Sequence, residues 1–426
     1  MFSLKNQLIR KNNKSLAKIK KEPIGIESTE RFLKTLPYQL IEDQLKAATD
    51  IIDDMNQSSL MYRLLQGDVG TGKTLVCFVA LFANYKRGDQ GALMAPTDAL
   101  AKQHYENASK LFKGLGMKVS LLVGSTPIKD KNQIYKDLED GSIDLVIGTH
   151  SLFTNKVVYS SLGLVIIDEQ HRFGVNQRLA LANKGEHADL LMLSATPIPR
   201  SLALSIYGAL DVSTLTSFPN KIRNVKTVLV QDTDKRIFIS VDAALKDNKN
   251  VYVIAPKINF EENNKTSVEE IYKLYQSKYE NKVGLLHGKM SAKEKDDILN
   301  KFYNREVPVL VSTQVVEVGI DVKNASLMII YDASCFGLAS LHQLRGRIGR
   351  DGSRAVCVLT YHNIDDEQKE KLEILCNSND GFEIAEQDLK SRGPGELTGL
   401  KQSGMPNFKF LNIVNDYKIF VCARDD

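Results

Sequence analysis

Short runs of valine, isoleucine and leucine recur along this chain and alternate with stretches of helical periodicity. The first set lies at 60–65, 91–94, 120–123, 145–147, 164–167 and 190–193, each followed by a polar or glycine-containing turn. A strand apolar on both faces must be covered on both faces. A series of such strands separated by helices therefore predicts βαβ units around a parallel sheet. The pattern pauses over the polar stretch 213–226, which contains Pro219, and restarts at 227–230, 251–254, 283–286, 309–311, 327–330 and 355–359. Two tandem α/β domains joined by a short linker follow from this. Past Tyr361 the tail reads as helices and then the loop sequence SRGPGELTGLKQSG. The predicted organisation is a basic linker helix over 1–30, a first domain over 31–212, a second over 213–362, and a helical extension over 363–426.

Composition adds limits rather than direction. A length of 426 residues exceeds one ordinary domain, and 43% hydrophobic with 25% charged residues is ordinary for a globular chain. A net charge of +4 neither requires nor excludes nucleic acid, so any such site must come from local clustering. The 5 cysteines are odd in number and form no CxxC pair, which argues against a disulfide framework or zinc site and fits a reducing cytosol. The first residues lack a leader pattern, and no apolar run approaches the roughly 20 residues of a membrane span. A cytoplasmic monomer without a membrane partner is the expectation. Lys5, Arg10, Lys11, Lys14, Lys18, Lys20 and Lys21 precede the first acid, Glu22. They read as a phosphate-binding arm or as a solvated connector, and the apolar Phe2, Leu4, Leu8 and Ile9 favour the connector.

The run at 60–65 leads into GDVGTGKT, residues 67–74, with a helix after it. Strand, glycine loop and helix form the setting in which GxxxxGK[ST] cradles phosphates. Gly67, Gly70 and Gly72 let the backbone fold tightly and aim N–H groups at phosphate oxygens, and the helix N-terminus adds positive potential. Lys73 is predicted to neutralise the β- and γ-phosphates of ATP and Thr74 to hold Mg²⁺; a chance glycine turn is the bland alternative. The run at 164–167 ends in Asp168, Glu169, Gln170 and His171. Paired carboxylates closing an apolar strand are costly unless they face a cation or water. Asp168 would bind Mg²⁺ and Glu169 would polarise the attacking water, although the same tetrapeptide alone also suits a surface turn. Ser194, Ala195 and Thr196 end the next run with small hydroxyls that would link the nucleotide site to a domain interface.

In the second domain, LHQLRGRIGR (341–350) spaces Arg345, Arg347 and Arg350 near one helix face. Arg347 and Arg350 are predicted to reach the γ-phosphate across a cleft, where a guanidinium fork neutralises charge developing in transfer; pairing with an acidic neighbour is the alternative. In STQVVEVGID (312–321), Gly319 permits close backbone approach and Asp321 would orient an arginine or a ribose. Two half-sites imply that nucleotide closes the cleft and hydrolysis reopens it. Candidate nucleic-acid backbone contacts are Pro96, Thr97, Lys102 and Gln103, then Gly148, Thr149 and His150, then His287 and Gly288, then Ser312 and Thr313. Hydroxyls and amides there would bind phosphates without reading bases.

In this order GDVGTGKT, APTDALAKQH, GTH, DEQH, SATPIPRSLA, LLHGKM, STQVVEVGID and QLRGRIGR resemble the superfamily 2 helicases. The finer resemblance is to the RecG family of branched-DNA helicases, carried by DEQHRFGVNQRLAL (168–181), LHQLRGRIGR and NDGFEIAEQDLKSRGPGELTGLKQSG (379–404). It covers nearly the whole chain from Leu36. The resemblance implies two tandem RecA-like P-loop NTPase domains with parallel sheets, followed by a helical-hairpin and loop extension called the translocation motif. It also implies ATP and Mg²⁺ as cofactors, branched or duplex DNA as partner, and action on stalled forks and Holliday junctions. Arg392 and Gln402 match positions that couple domain closure to DNA movement, and Gln44 in LPYQLIEDQ matches the adenine contact. Departures are Ile41 for a usual Thr, Lys221-Ile222 for Gly-Arg, Gln314 for Thr, and Lys371 for Arg. The family's N-terminal wedge is expected to be absent, since the chain starts near what resembles the wedge's exit helix. Competing readings are a transcription-repair coupling translocase of the Mfd type, which Leu75 and the DEQH spelling disfavour, and a remnant that binds ATP or DNA without unwinding.

Overall fold

The computed structural model describes residues 21–36, 38–168, 188–194, 210–219, 224–256, 267–313, 322 and 324–392. They fall into two compact units that divide between Pro219 and Asn220.

The first unit opens with a 3-10 turn (Ile26–Thr29) and a short helix α1 (Glu30–Leu33), then α2 (Glu42–Asn56), β1 (Tyr62–Gly67), α3 (Lys73–Lys86), β2 (Gln90–Met94), α4 (Asp98–Leu111), β3 (Val119–Leu122), α5 (Ile128–Glu139), β4 (Leu145–Gly148), β5 (Leu162–Ile167), β6 (Asp189–Ser194) and β7 (Asp211–Leu215). The strands form one sheet in the order β3-β4-β2-β5-β6-β1-β7. Every pairing in it is parallel. Strands β2, β4 and β6 are buried along their whole length, as their largely apolar sequences require. Helix α3 is buried from Leu75 to Asn84, with no polar face.

Two expected boundaries move. Strand β7 straddles the boundary expected at 212, pairing with β1 so that Gly67 sits opposite Leu215. Its DVSTL sequence alternates because β7 is an edge strand, half solvated, and that polarity hid it among the linker residues. Residues 21–36 are also no free connector. Asn56 accepts from the Ile24 amide at 3.1 Å and donates to the Ile24 carbonyl at 2.7 Å. Lys21 pairs with Asp89 at 2.5 Å. Phe32 is fully buried, its ring 5.5 Å from Phe82 and 5.1 Å from Phe112. Phe32→Ala is expected to cost about 3–5 kcal/mol, the usual loss for truncating a buried aromatic ring. Urea denaturation would show this as a lower midpoint at unchanged slope. An unchanged midpoint would return the segment to the role of connector.

The second unit contains β8 (Val225–Gln231), α6 (Arg236–Lys246), β9 (Asn250–Ile254), α7 (Val268–Tyr279), β10 (Val283–Leu286), α8 (Ala292–Tyr303), β11 (Val309–Ser312), β12 (Ala325–Ile330), α9 (Leu338–Arg345), β13 (Ala355–Tyr361), α10 (Asp366–Asn377) and α11 (Gly381–Arg392). Its sheet, in the order β10-β11-β9-β12-β13-β8, is again parallel at every pairing. Helices α7 and α8 each start on a Ser-x-x-Glu box, Ser267 with Glu270 and Ser291 with Glu294. The α10–α11 hairpin was expected as an extension after 362. Instead it joins this unit's core through Leu372, Leu375 and Ile384. No helix among the described residues is long and apolar enough to cross a membrane.

Candidate nucleotide site

In a parallel sheet all strands end on one edge, and ligands of α/β folds bind there. In the first unit that edge carries the glycine loop after β1, Asp168 after β5, Ser194 at the end of β6, Thr97 just past β2 and Thr149 after β4. Strand β6 alone separates β5 from β1. Asp168 and the loop thus stand about 10 Å apart in the sheet plane, two strand spacings.

Each loop glycine is needed for its own reason. Gly70 and Gly72 have φ of 90° and 87°, a left-handed backbone that a side chain would strain. A Cβ at Gly67 would stand 2.7 Å from the Thr71 hydroxyl and 2.9 Å from the Leu215 carbonyl. The loop is further held by Thr71, whose hydroxyl donates to the Asp68 carbonyl at 2.9 Å. Lys73 donates to the Gly67 and Asp68 carbonyls at 2.6 and 2.9 Å, so its ammonium lies against the loop that would wrap the phosphates. Thr74 follows in the first turn of α3. Burial pushes the Cys77 thiol well up, and the Asp168 carboxylate near it adds to the shift while Lys73 opposes it. One turn of α3 is therefore in electrostatic reach of both Lys73 and Asp168. The hydroxyl of Thr74 and the carboxylate of Asp168 are hard oxygen donors of the kind that, with phosphates and water, suit Mg²⁺.

The structure places Gln44 against the phosphate loop. Its side chain is fully buried, donates to the Thr71 carbonyl at 2.7 Å and accepts from the Ile41 amide at 3.2 Å. In this position it braces the phosphate loop. Ile41, at the N-cap of α2, supplies no side-chain hydrogen bond, so the Gln44 return bond is the capping that remains.

Among the candidate backbone contacts, Thr97 caps α4, its hydroxyl accepting from the Leu100 amide at 3.3 Å. Thr149 is buried and donates to Asp98 at 3.2 Å, whereas His150 beside it is exposed. Thr313 is buried in the second unit. Glu169, Ala195, Thr196, Gly319, Asp321 and Gln402 lie outside the described residues, and Arg392 is the last residue of α11.

The three arginines do not share a helix face. Helix α9 stops at Arg345, its chain turned by Gly346 and by Gly349 with φ of 68°, and Arg347 and Arg350 occupy the turn that follows. Arg350 Nε donates to the Gly346 carbonyl at 3.0 Å. Lys249 pairs with Asp351 at 2.7 Å and braces the same turn. Burial works against the Asp351 carboxylate, but hydrogen bonds from Lys249 and Ser353 outweigh it and hold the group at about 2. Arg345 is buried and donates at 2.8 Å to both the Leu375 and Ser378 carbonyls, capping the C-terminus of α10.

One site residue escaped the sequence reading. His104, on α4, lies with Nε2 2.8 Å from Asp168 Oδ2. It ends the block APTDALAKQH, whose resemblance gave His104 no role of its own.

Two parallel sheets in tandem, the first with a phosphate loop on β1 and a carboxylate closing β5, define a RecA-like helicase core. Residues 41–204 match the DEAD/DEAH box helicase family, 235–352 the helicase conserved C-terminal domain, and 378–426 the C-terminal part of domain 3 of the ATP-dependent DNA helicase RecG. Over its whole length the chain is similar to the RecG family. It is 43% identical over its whole length to the ATP-dependent DNA helicase RecG of Staphylococcus epidermidis and 42% identical to that of Bacillus subtilis, and it spans 63% of the length of each. A solved structure of RecG bound to a three-way DNA junction matches 98% of this chain and 55% of that one, with 43% identity and a TM-score of 0.81. A DNA-bound structure of the helicase MrfA, 16% identical with a TM-score of 0.61, shares the fold.

Proposed function

We propose that this chain is the motor of an ATP-dependent double-stranded DNA translocase that remodels stalled forks and Holliday junctions in the cytoplasm. The observation that carries the reading is the phosphate loop with Lys73 against its carbonyls, on the same sheet edge as Asp168. Residues 378–426 add support, because their match is to RecG in particular and not to helicases at large. The RecG structure on a three-way junction supplies the DNA geometry to test.

In this reading Lys73 neutralises the β- and γ-phosphates, and Thr74 and Asp168 hold Mg²⁺. When bound, the metal would supply positive charge that offsets the phosphates. Glu169 orients the attacking water. Arg347 and Arg350 stabilise the charge that builds up during transfer, and Asp321 orients one of them or the ribose. Thr97, Thr149, His150 and Thr313 border the path of the DNA backbone, and Arg392 and Gln402 convert closure into movement along it.

ATP hydrolysis measured without DNA and with single-stranded, linear duplex and three-way junction DNA tests the proposal. Duplex and junction are expected to raise turnover several-fold and single strand much less. Turnover indifferent to all three would overturn the translocase reading.

A further inference from the structure

His104 is on the second turn of α4 and reaches the carboxylate that closes β5. The imidazole is about 5% exposed. With a carboxylate as acceptor, Nε2–H donates. Nδ1 is buried and has no hydrogen-bond partner among the described residues. Burying a ring nitrogen without a partner is unfavourable, and an apolar residue would fill the same space without that cost. The group the imidazole does engage is the carboxylate expected to hold the metal. The Asp168 amide is itself fixed, donating to the Met94 carbonyl at 2.8 Å, so the backbone beneath the carboxylate is set by the sheet and the side chain is held by α4.

We propose that His104 is a positioning residue for Asp168, holding its carboxylate in the orientation that receives Mg²⁺ and anchoring it to the helix capped by Thr97. This rests on the reading of Asp168 as a metal ligand. Outer hydrogen bonds of this kind orient metal ligands, and their loss typically weakens metal binding or activity by about 10- to 100-fold. Helix α4 then joins the metal site to a candidate phosphate contact, since Thr97 accepts from Leu100 in its first turn and Thr149 donates to Asp98 beside it.

The test compares His104→Phe, which fills the space without a donor, with His104→Gln, whose amide retains one. Mn²⁺ binding to the ADP-loaded protein is followed by electron paramagnetic resonance, a readout without turnover, together with the Mg²⁺ concentration giving half-maximal hydrolysis. The Phe variant is expected to weaken both by about 10- to 100-fold, and the Gln variant to recover most of the loss. His104→Leu supplies the same comparison should the Phe protein not fold. Wild-type metal binding in the donorless variant, or equal loss in the Gln variant, would overturn the role. Failure of the underlying reading looks different: the unaltered protein would then bind no Mn²⁺ with ADP and show no Mg²⁺-dependent hydrolysis.

Discussion

Lys73→Ala is expected to lower ATP turnover by at least about 10²–10³-fold, the scale on which a preorganised charge at a reacting oxyanion acts. The side chain emerges from the first residue of α3 and folds back on the loop, with its ammonium 2.6 Å from one carbonyl and 2.9 Å from another. That places the charge where phosphate oxygens would lie against the loop amides. Other groups hold the loop when the lysine is gone: Gln44 grips the Thr71 carbonyl at 2.7 Å and Thr71 grips that of Asp68 at 2.9 Å. The variant should therefore keep the wild-type melting temperature while losing hydrolysis. Lys73→Arg is expected to rescue poorly, because a planar fork does not replace a compact ammonium in so tight a turn. Measured turnover within a few-fold of wild type in Lys73→Ala would remove the phosphate loop from the chemistry.

The sequence revealed the sheets because their strands are buried on both faces, and unbroken valine, isoleucine and leucine have few other uses in so short a run. All six runs of each set correspond to strands, within two residues at their starts and ends. Strand β7 escaped because an edge strand alternates, and DVSTL looks like linker. The phosphate loop and Asp168 were legible because their chemistry demands fixed residue types at fixed spacing. The contacts of His104 with Asp168 and of Gln44 with Thr71 were not legible in the same way. They span 64 and 27 residues of sequence and are made by side chains with many other uses. The arginine turn failed for a local reason. The helix ends at Arg345, with Gly349 in a left-handed turn beyond, so helical spacing ceased to apply where the reading leaned on it. Arg345 was grouped with the other two by spacing alone; buried backbone carbonyls claim it, while Arg347 and Arg350 remain half-buried.

Arg350→Ala is expected to lower turnover by about 10³-fold or more, in the range found for arginines that stabilise phosphoryl transfer, with ATP affinity changed only several-fold. The split follows from when the contact matters. A guanidinium aimed at a γ-phosphate gains most as charge accumulates in the transition state, so its removal acts on kcat more than on KM. The turn that carries Arg350 should survive the change. Its shape depends on Gly349, on the Gly349 amide donating to the Ala325 carbonyl at 2.9 Å, and on the Lys249–Asp351 pair at 2.7 Å. The substitution removes one bond inside the turn, from Arg350 Nε to the Gly346 carbonyl. Steady-state hydrolysis with duplex DNA, set beside equilibrium binding of a fluorescent ATP analogue, separates the two effects. Weak binding with unchanged turnover at saturation would make Arg350 a ground-state ligand. Unchanged values in both would remove Arg350 from the proposed chemistry.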